Sequence, residues 1–334
     1  MVIALAFGAV SGAQLGISPK ASPARADAAI GLTGLFVPAQ GTLLDTRSGV
    51  GGVSGPVAAG AWNWVQATGV AGIPISGVSS VQVSVTVTVF SPSLSGYLKL
   101  TADNTEVPTS ALVYTGGGLS VSASSIVALA GNGQFGVLSQ RSVSILIAVQ
   151  GYYTAGTGAP APGGYVPVKP TRLVDTRYGT GLPQTKLPPN STTSVKVGGL
   201  ASVPADASAA YVMLTAISSS TTAGYFAPYP TGTTRPANVS LNYLANTATI
   251  VGAAVDLGTD GQFDLWIGPA GTAVDLVVDL VGYYSAASGT GGAFTPASAG
   301  CMTPASARTL RCRPIPAAGC GSAGLSECRC RQPA

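Results

Sequence analysis

Valine occupies every second position from Val81 to Val89, with Gln82, Ser84, Thr86 and Thr88 between. A period of two predicts a β-strand with one apolar face and one face of small polar side chains. Val274, Leu276, Val278 and Leu280 repeat the pattern against Asp275, Val277 and Asp279, and no long stretch has the 3.6-residue period of a helix. Asn132-Gly133 and Asp260-Gly261 are turn dipeptides that need positive φ. Each is followed by Phe and a β-rich run, so each predicts a two-residue hairpin. Short strands punctuated by turn residues favour an antiparallel sandwich or barrel.

The chain repeats itself. Leu43-Leu44-Asp45-Thr46-Arg47 is answered by Leu173-Val174-Asp175-Thr176-Arg177, Gly96-Tyr97 by Gly224-Tyr225, and Pro108 by Pro236. Gly133-Gln134-Phe135 returns as Gly261-Gln262-Phe263, and Gly151-Tyr152-Tyr153 as Gly282-Tyr283-Tyr284. Five anchors in one order at nearly one spacing mark two copies of a domain, residues 35–154 and 165–285. Residues 155–164, all Gly, Ala, Thr and Pro, read as a flexible-to-extended linker. The expected fold is all-β: two tandem antiparallel β-sandwich, or barrel-like, domains joined by this linker.

Only 8% of the 334 residues are charged, against about 25% in an ordinary soluble domain. Histidine is absent, which excludes Ser-His and Cys-His catalysis and His-ligated metal sites. The net charge of +4 sits at the ends: five arginines and one glutamate follow Cys301, and Lys20, Arg25 and Asp27 precede Ala29. The body between them has no basic stripe to neutralise phosphates, so nucleic acid is not an expected partner. No apolar run approaches the roughly 20 residues of a membrane-spanning helix.

Residues 1–28 read as a secretory signal segment, with Ala24-x-Ala26 and Ala26-x-Ala28 as cleavage patterns, and place the protein outside the cell or on its surface. Residues 286–297 open a third repeat, since Gly291-Gly292-Ala293-Phe294-Thr295-Pro296 parallels Gly163-Gly164-Tyr165-Val166-Pro167. Residues 298–334 hold all five cysteines (Cys301, Cys312, Cys320, Cys328, Cys330) in Arg- and Pro-rich company. Codons for Gly300-Cys301-Met302-Thr303-Pro304-Ala305, read one base earlier, can spell Arg-Leu-His-Asp-Thr-Arg. The tail therefore reads as out-of-frame and disordered.

A domain that opens on Leu-x-Asp-Thr-Arg, continues through Gly224-Tyr225-Phe226-Ala227-Pro228-Tyr229-Pro230 and the Arg235–Asn242 stretch, and closes on Val-Val-Asp-x-Val-Gly-Tyr-Tyr resembles the extracellular repeat modules of high-GC Gram-positive bacteria. The first copy departs from the pattern at Thr101-Ala102-Asp103-Asn104 and at Ala148-Val149-Gln150. The resemblance implies a secreted or wall-associated setting and no activity of the module's own.

The recurring Asp45, Arg47, Asp175 and Arg177 are either ligand contacts or a charge-assisted pin for the first strand of each domain. Trp62 and Trp64 share a strand face, where copy two has Thr192 and Ser194, while Tyr225 and Tyr229 cluster in copy two. These four aromatics are the candidate ligand platforms, with core or rim packing as the plainer role. Asp256, Asp260, Asp264, Asp275 and Asp279 fall in the second half of copy two. A hairpin through 268–271 would set Asp264 opposite Asp275, the nearest approach to a cation or glycosidase carboxylate pair. No catalytic residue, metal site or cofactor is expected. The expected function is non-catalytic attachment to cell-wall or extracellular polysaccharide. Alternatives are a structural spacer or self-associating surface array without a small ligand, and an accessory fragment of a secreted hydrolase; oligomeric state is left open.

Overall fold

The computed structural model describes residues 33–88, 95–103, 110–115, 120–200, 202–219, 222–235, 239–270 and 272–286. The expected signal segment, almost all of the third-repeat opening and the tail lie outside these residues. The first repeat forms β1 (Phe36–Asp45), β2 (Trp62–Gln66), β3 (Val78–Thr88), β4 (Gly96–Thr101), β5 (Leu112–Tyr114), β6 (Ser120–Ala128), β7 (Gln134–Ser139) and β8 (Ser144–Thr154). The second forms β9 (Tyr165–Asp175), β10 (Ser191–Lys196), β11 (Ala209–Ile217), β12 (Gly224–Pro230), β13 (Leu241–Tyr243), β14 (Ala248–Asp256), β15 (Gln262–Ile267) and β16 (Asp275–Tyr284). The described residues contain no helix, and none of them forms one long and apolar enough to cross a membrane.

Each repeat is a sandwich of two four-stranded antiparallel sheets. The inner sheets run β1-β8-β3-β6 and β9-β16-β11-β14, the outer sheets β2-β7-β4-β5 and β10-β15-β12-β13. The two orders are the same strand for strand, and they are those of an eight-stranded jelly roll. Period-two alternation fills each core. Val81, Val83, Val85 and Val87 of β3 meet Leu98, Phe135 and Val137 of the facing sheet, as Val212 and Leu214 meet Phe226, Phe263 and Leu265 in the second repeat. Burying each such side chain is worth about 1.5–3 kcal/mol.

Gly133 and Gly261 have the expected positive φ, 76° and 69°, but the hairpins are not formed. β6 and β7 belong to opposite sheets, as do β14 and β15, so each dipeptide turns an arch across the sandwich. Among the described residues, the sequence-adjacent strands that pair directly are β4–β5 and β12–β13. The 155–164 segment is tied down rather than loose: Thr33 bridges Pro160, Ala161 is buried, and Ser285 Oγ donates to the Ala161 carbonyl at 2.6 Å.

The two sandwiches meet through tyrosines. Alternation sends Tyr152 and Tyr283 into their own cores, and Tyr153 and Tyr284 into a separate junction cluster with Tyr165, Tyr211, Met213, Val281 and Ile126. Phe36 stacks on Tyr153 and Tyr165 on Tyr284, both at 5.3 Å and tilted by 57° and 58°. Tyr153 then meets Tyr165 at 4.7 Å, joining the copies. The faces differ accordingly. β11 is buried on both sides, whereas the matching outward positions of β3 are Gln82, Ser84 and Thr86, half-buried and partly hydrogen-bonded to neighbouring strands.

Candidate functional site

The Asp-Thr-Arg signature ends the first strand of each repeat in a tight turn. Asp45 N–H donates to the Val50 carbonyl and Asp175 N–H to that of Thr180. Gly51 and Gly181 close the turn at φ of 82° and 67°, where a Cβ would strike the carbonyl of Leu43 or Leu173. Arg47 donates its backbone N–H and Nε to Asp45 Oδ1 at 3.0 and 2.9 Å, and Nη2 to Oδ2 at 3.0 Å. Arg177 repeats all three bonds on Asp175 at 3.2, 2.9 and 2.7 Å. The threonine, which repetition marked but chemistry did not, grips the closing strand: Thr46 and Thr176 hydroxyls accept from Ile145 and Leu276 N–H at 3.0 Å.

Hydrogen bonds from Arg47 hold the Asp45 carboxyl down, to about 2. Burial pushes Asp175 up, but the hydrogen bonds and charge of Arg177, with the charge of Arg172, outweigh it and leave the carboxyl below its usual range. The second repeat extends this network. Arg172 donates Nε and Nη2 to the buried Asp279 at 2.8 and 3.1 Å and Nη1 to Asp175 at 3.0 Å. Thr42 opposite Ala148 holds the corresponding place in the first repeat.

The expected Asp264–Asp275 pair does not form. β15 lies in the outer sheet and β16 in the inner one, because the 268–274 connection crosses the sandwich. Asp264 accepts from Ser194 Oγ at 2.6 Å, and Asp275 from Thr176 at 3.0 Å. Among the described residues no three His, Cys, Asp or Glu side chains converge on one point.

The aromatic candidates fall on the outward faces of the outer sheets, with one correction and one addition. Trp62 and Trp64 flank Gly136, whose missing side chain leaves room for both indoles; Trp64 is 39% exposed. Tyr229 is buried at 9% on β12, a strand inside its sheet, and offers no ring face to a ligand. Trp266 is the residue that sequence reasoning missed. The first repeat pairs Trp62 with Leu138, the second pairs Thr192 with Trp266, so the indole has moved across the strand pair. Tyr225 meets Trp266 edge-on at 5.4 Å, and the Arg235 guanidinium lies 3.6 Å over the Trp266 ring, making this face a cation–aromatic plate.

The first repeat's face leads into a cleft. Cross-strand rows run Trp62–Leu138–Lys99 and Trp64–Gly136–Thr101, so Tyr97 and Lys99 of β4 stand on the tryptophan face, about 10 Å away by strand spacing. Beyond them a cleft of about 560 Å³ opens against the second repeat's inner sheet, lined by Tyr97, Gln140, Arg172, Arg177, Thr215 and Asn246 among others. A smaller, more apolar pocket of about 220 Å³ includes Leu100, Ala111, Val127, Met213 and Val281 in its lining.

No family model and no curated protein matches the chain. Among solved structures it is similar to the STIV MCP (12% identity, TM-score 0.32, 74% of this chain and 96% of that one). It is also similar to the N-terminal CBM22-1–CBM22-2 tandem domain of Xyn10C from Paenibacillus barcinonensis (11%, 0.20, 75% and 99%). A third likeness is to a chain of Broad Bean Stain Virus (10%, 0.22, 78% and 94%). At such scores the likeness goes no further than shared β-architecture.

Proposed function

We propose that this chain is a non-catalytic, exported attachment protein that holds cell-wall or extracellular polysaccharide on the outward faces of its two outer sheets. One observation carries the reading. All three tryptophans of the chain, Trp62, Trp64 and Trp266, lie on those faces, while the cores are built from Val, Leu, Phe and Tyr. An indole on a sheet surface gives apolar area and a π-face to the C–H face of a sugar ring, and its N–H remains for a hydroxyl. Two such faces on one compact body bind a polymer with avidity that neither has alone.

Co-sedimentation with insoluble peptidoglycan, chitin and cellulose tests this. Wild type should partition with at least one polymer. Trp62→Ala/Trp64→Ala and Tyr225→Ala/Trp266→Ala should each weaken retention by about tenfold or more, as loss of one of two linked sites requires. Absence of retention on every polymer would favour the spacer reading, to which the tyrosine junction is equally suited.

A further inference from the structure

We propose that the cleft between the repeats is a second saccharide subsite, specific for an uncharged oligosaccharide of a few rings. This rests on the polysaccharide reading, and adds a pocket of different chemistry to the two sheet faces. At about 560 Å³ the cleft falls in the range of roughly 300–1,000 Å³ typical of small-molecule sites.

Its lining fixes the ligand class. The guanidinium groups of Arg172 and Arg177 are taken up by Asp175 and Asp279 in two-pronged bonds. Two cations are thus matched by two carboxylates. The third lining cation, Lys99, is about as buried as Thr215 and is already engaged, with its ammonium 5.5 Å from the Tyr97 ring centroid. Beside them the lining has mixed donor–acceptor chemistry: the exposed amides of Gln140 and Asn246, the Thr215 hydroxyl, the Thr247 hydroxyl, which donates to the Leu244 carbonyl at 3.1 Å and can still accept, and the half-buried Tyr97 ring. Amides and hydroxyls that both give and accept hydrogen bonds, beside one aromatic face, match sugar hydroxyls and a pyranose C–H face. A carboxylate or phosphate would meet arginines already neutralised. The cleft needs both repeats, since Tyr97 and Gln140 come from one and Thr215, Asn246 and Thr247 from the other. It continues the Trp62/Trp64 face, so one polymer end can lie across β2, β7 and β4 and enter it.

Calorimetric titration of the full chain with chitotriose, cellotriose and trigalacturonate tests the proposal, using lining residues that are exposed or half-buried. Tyr97→Ala, Gln140→Ala and Asn246→Gly, the last chosen because Asn246 has φ of 50°, should each weaken a neutral trisaccharide by about tenfold. Ile75→Ala, an exposed position outside the cleft lining and the sheet faces, should change that affinity by less than about threefold, and Trp62→Ala/Trp64→Ala is titrated beside it. Unchanged circular dichroism verifies folding, and Gln140→Glu supplies a second, isosteric variant that should also weaken binding. Trisaccharide binding that is lost only in the tryptophan variant overturns the cleft but leaves the sheet faces standing. Retention on polymer with no trisaccharide binding overturns the cleft as well. Cleft-dependent trisaccharide binding without polymer retention supports the cleft and refutes the faces. Tighter binding of trigalacturonate than of either neutral sugar overturns the neutral class.

Discussion

Tyr114 and Tyr243 occupy the same place in the two repeats, each ring lying against a glycine, Gly96 or Gly224. Their hydroxyls differ in fate. Tyr114 Oη shares a 2.8 Å hydrogen bond with Ser139, whereas Tyr243 Oη is buried without a partner because Ile267 replaces that serine. Tyr114→Phe should therefore cost about 0.5–1.5 kcal/mol, while Tyr243→Phe should be neutral or stabilising, as urea unfolding can measure. A pH dependence follows from the signature turns. Folded Asp45 and Asp175 titrate below the ordinary 3.8, Asp45 at about 2. Such carboxylates stabilise the fold above the ordinary value and lose that contribution as pH falls through the folded one. Thermal midpoints should hold steady above pH about 4.5 and decline between about 4 and 2, and Asp45→Asn/Asp175→Asn should flatten the decline. At this scale repetition was a good guide to turn residues and a poor one to surface residues. Asp45, Arg47 and their partners recur, so comparing the copies finds them. Trp266 faces Thr192 where Trp62 faces Leu138, and Arg172 stands where the first repeat has Thr42, so both escape a comparison that looks for shared residues.

Strand positions were legible because side-chain alternation is local, and the valines of β3 sit in the core as their spacing requires. Sheet membership was not legible. A Gly with positive φ reverses the chain whether the next strand pairs with the last or lies across the core, and Gly133 and Gly261 do the second. The same ambiguity created the expected Asp264–Asp275 pair. The glycine of Gly-Tyr-Tyr has a different role, as a gap for a ring: a Cβ on Gly151 would overlap Phe36, and one on Gly282 would overlap the Tyr165 phenol. Gly151→Ala and Gly282→Ala should each destabilise by about 1–3 kcal/mol, the range of overpacked cores. Phe36→Leu should recover part of the first loss, a coupling that a double-mutant cycle in urea detects.

Across the whole molecule, two copies of one jelly roll have been given unequal surfaces. The second repeat turns Tyr211, Met213 and Val281 toward the first, which keeps Gln82, Ser84 and Gln150 at the matching positions. This asymmetry makes one body of two modules and creates the cleft. The low charge noted in the sequence becomes intelligible at this scale. In the second repeat Asp175, Asp279, Arg172 and Arg177 are engaged with one another, and the outward faces carry aromatics, hydroxyls and amides with few charges, Lys99 and Arg235 among them. Binding of a polymer to those faces is the central claim, and the chain has its own reporter for it, because every tryptophan lies there. Tryptophan emission titrated with a polysaccharide that retains the protein should shift to shorter wavelength and become protected from acrylamide quenching. Retention of the protein on that polysaccharide with unchanged tryptophan emission and quenching would contradict the account.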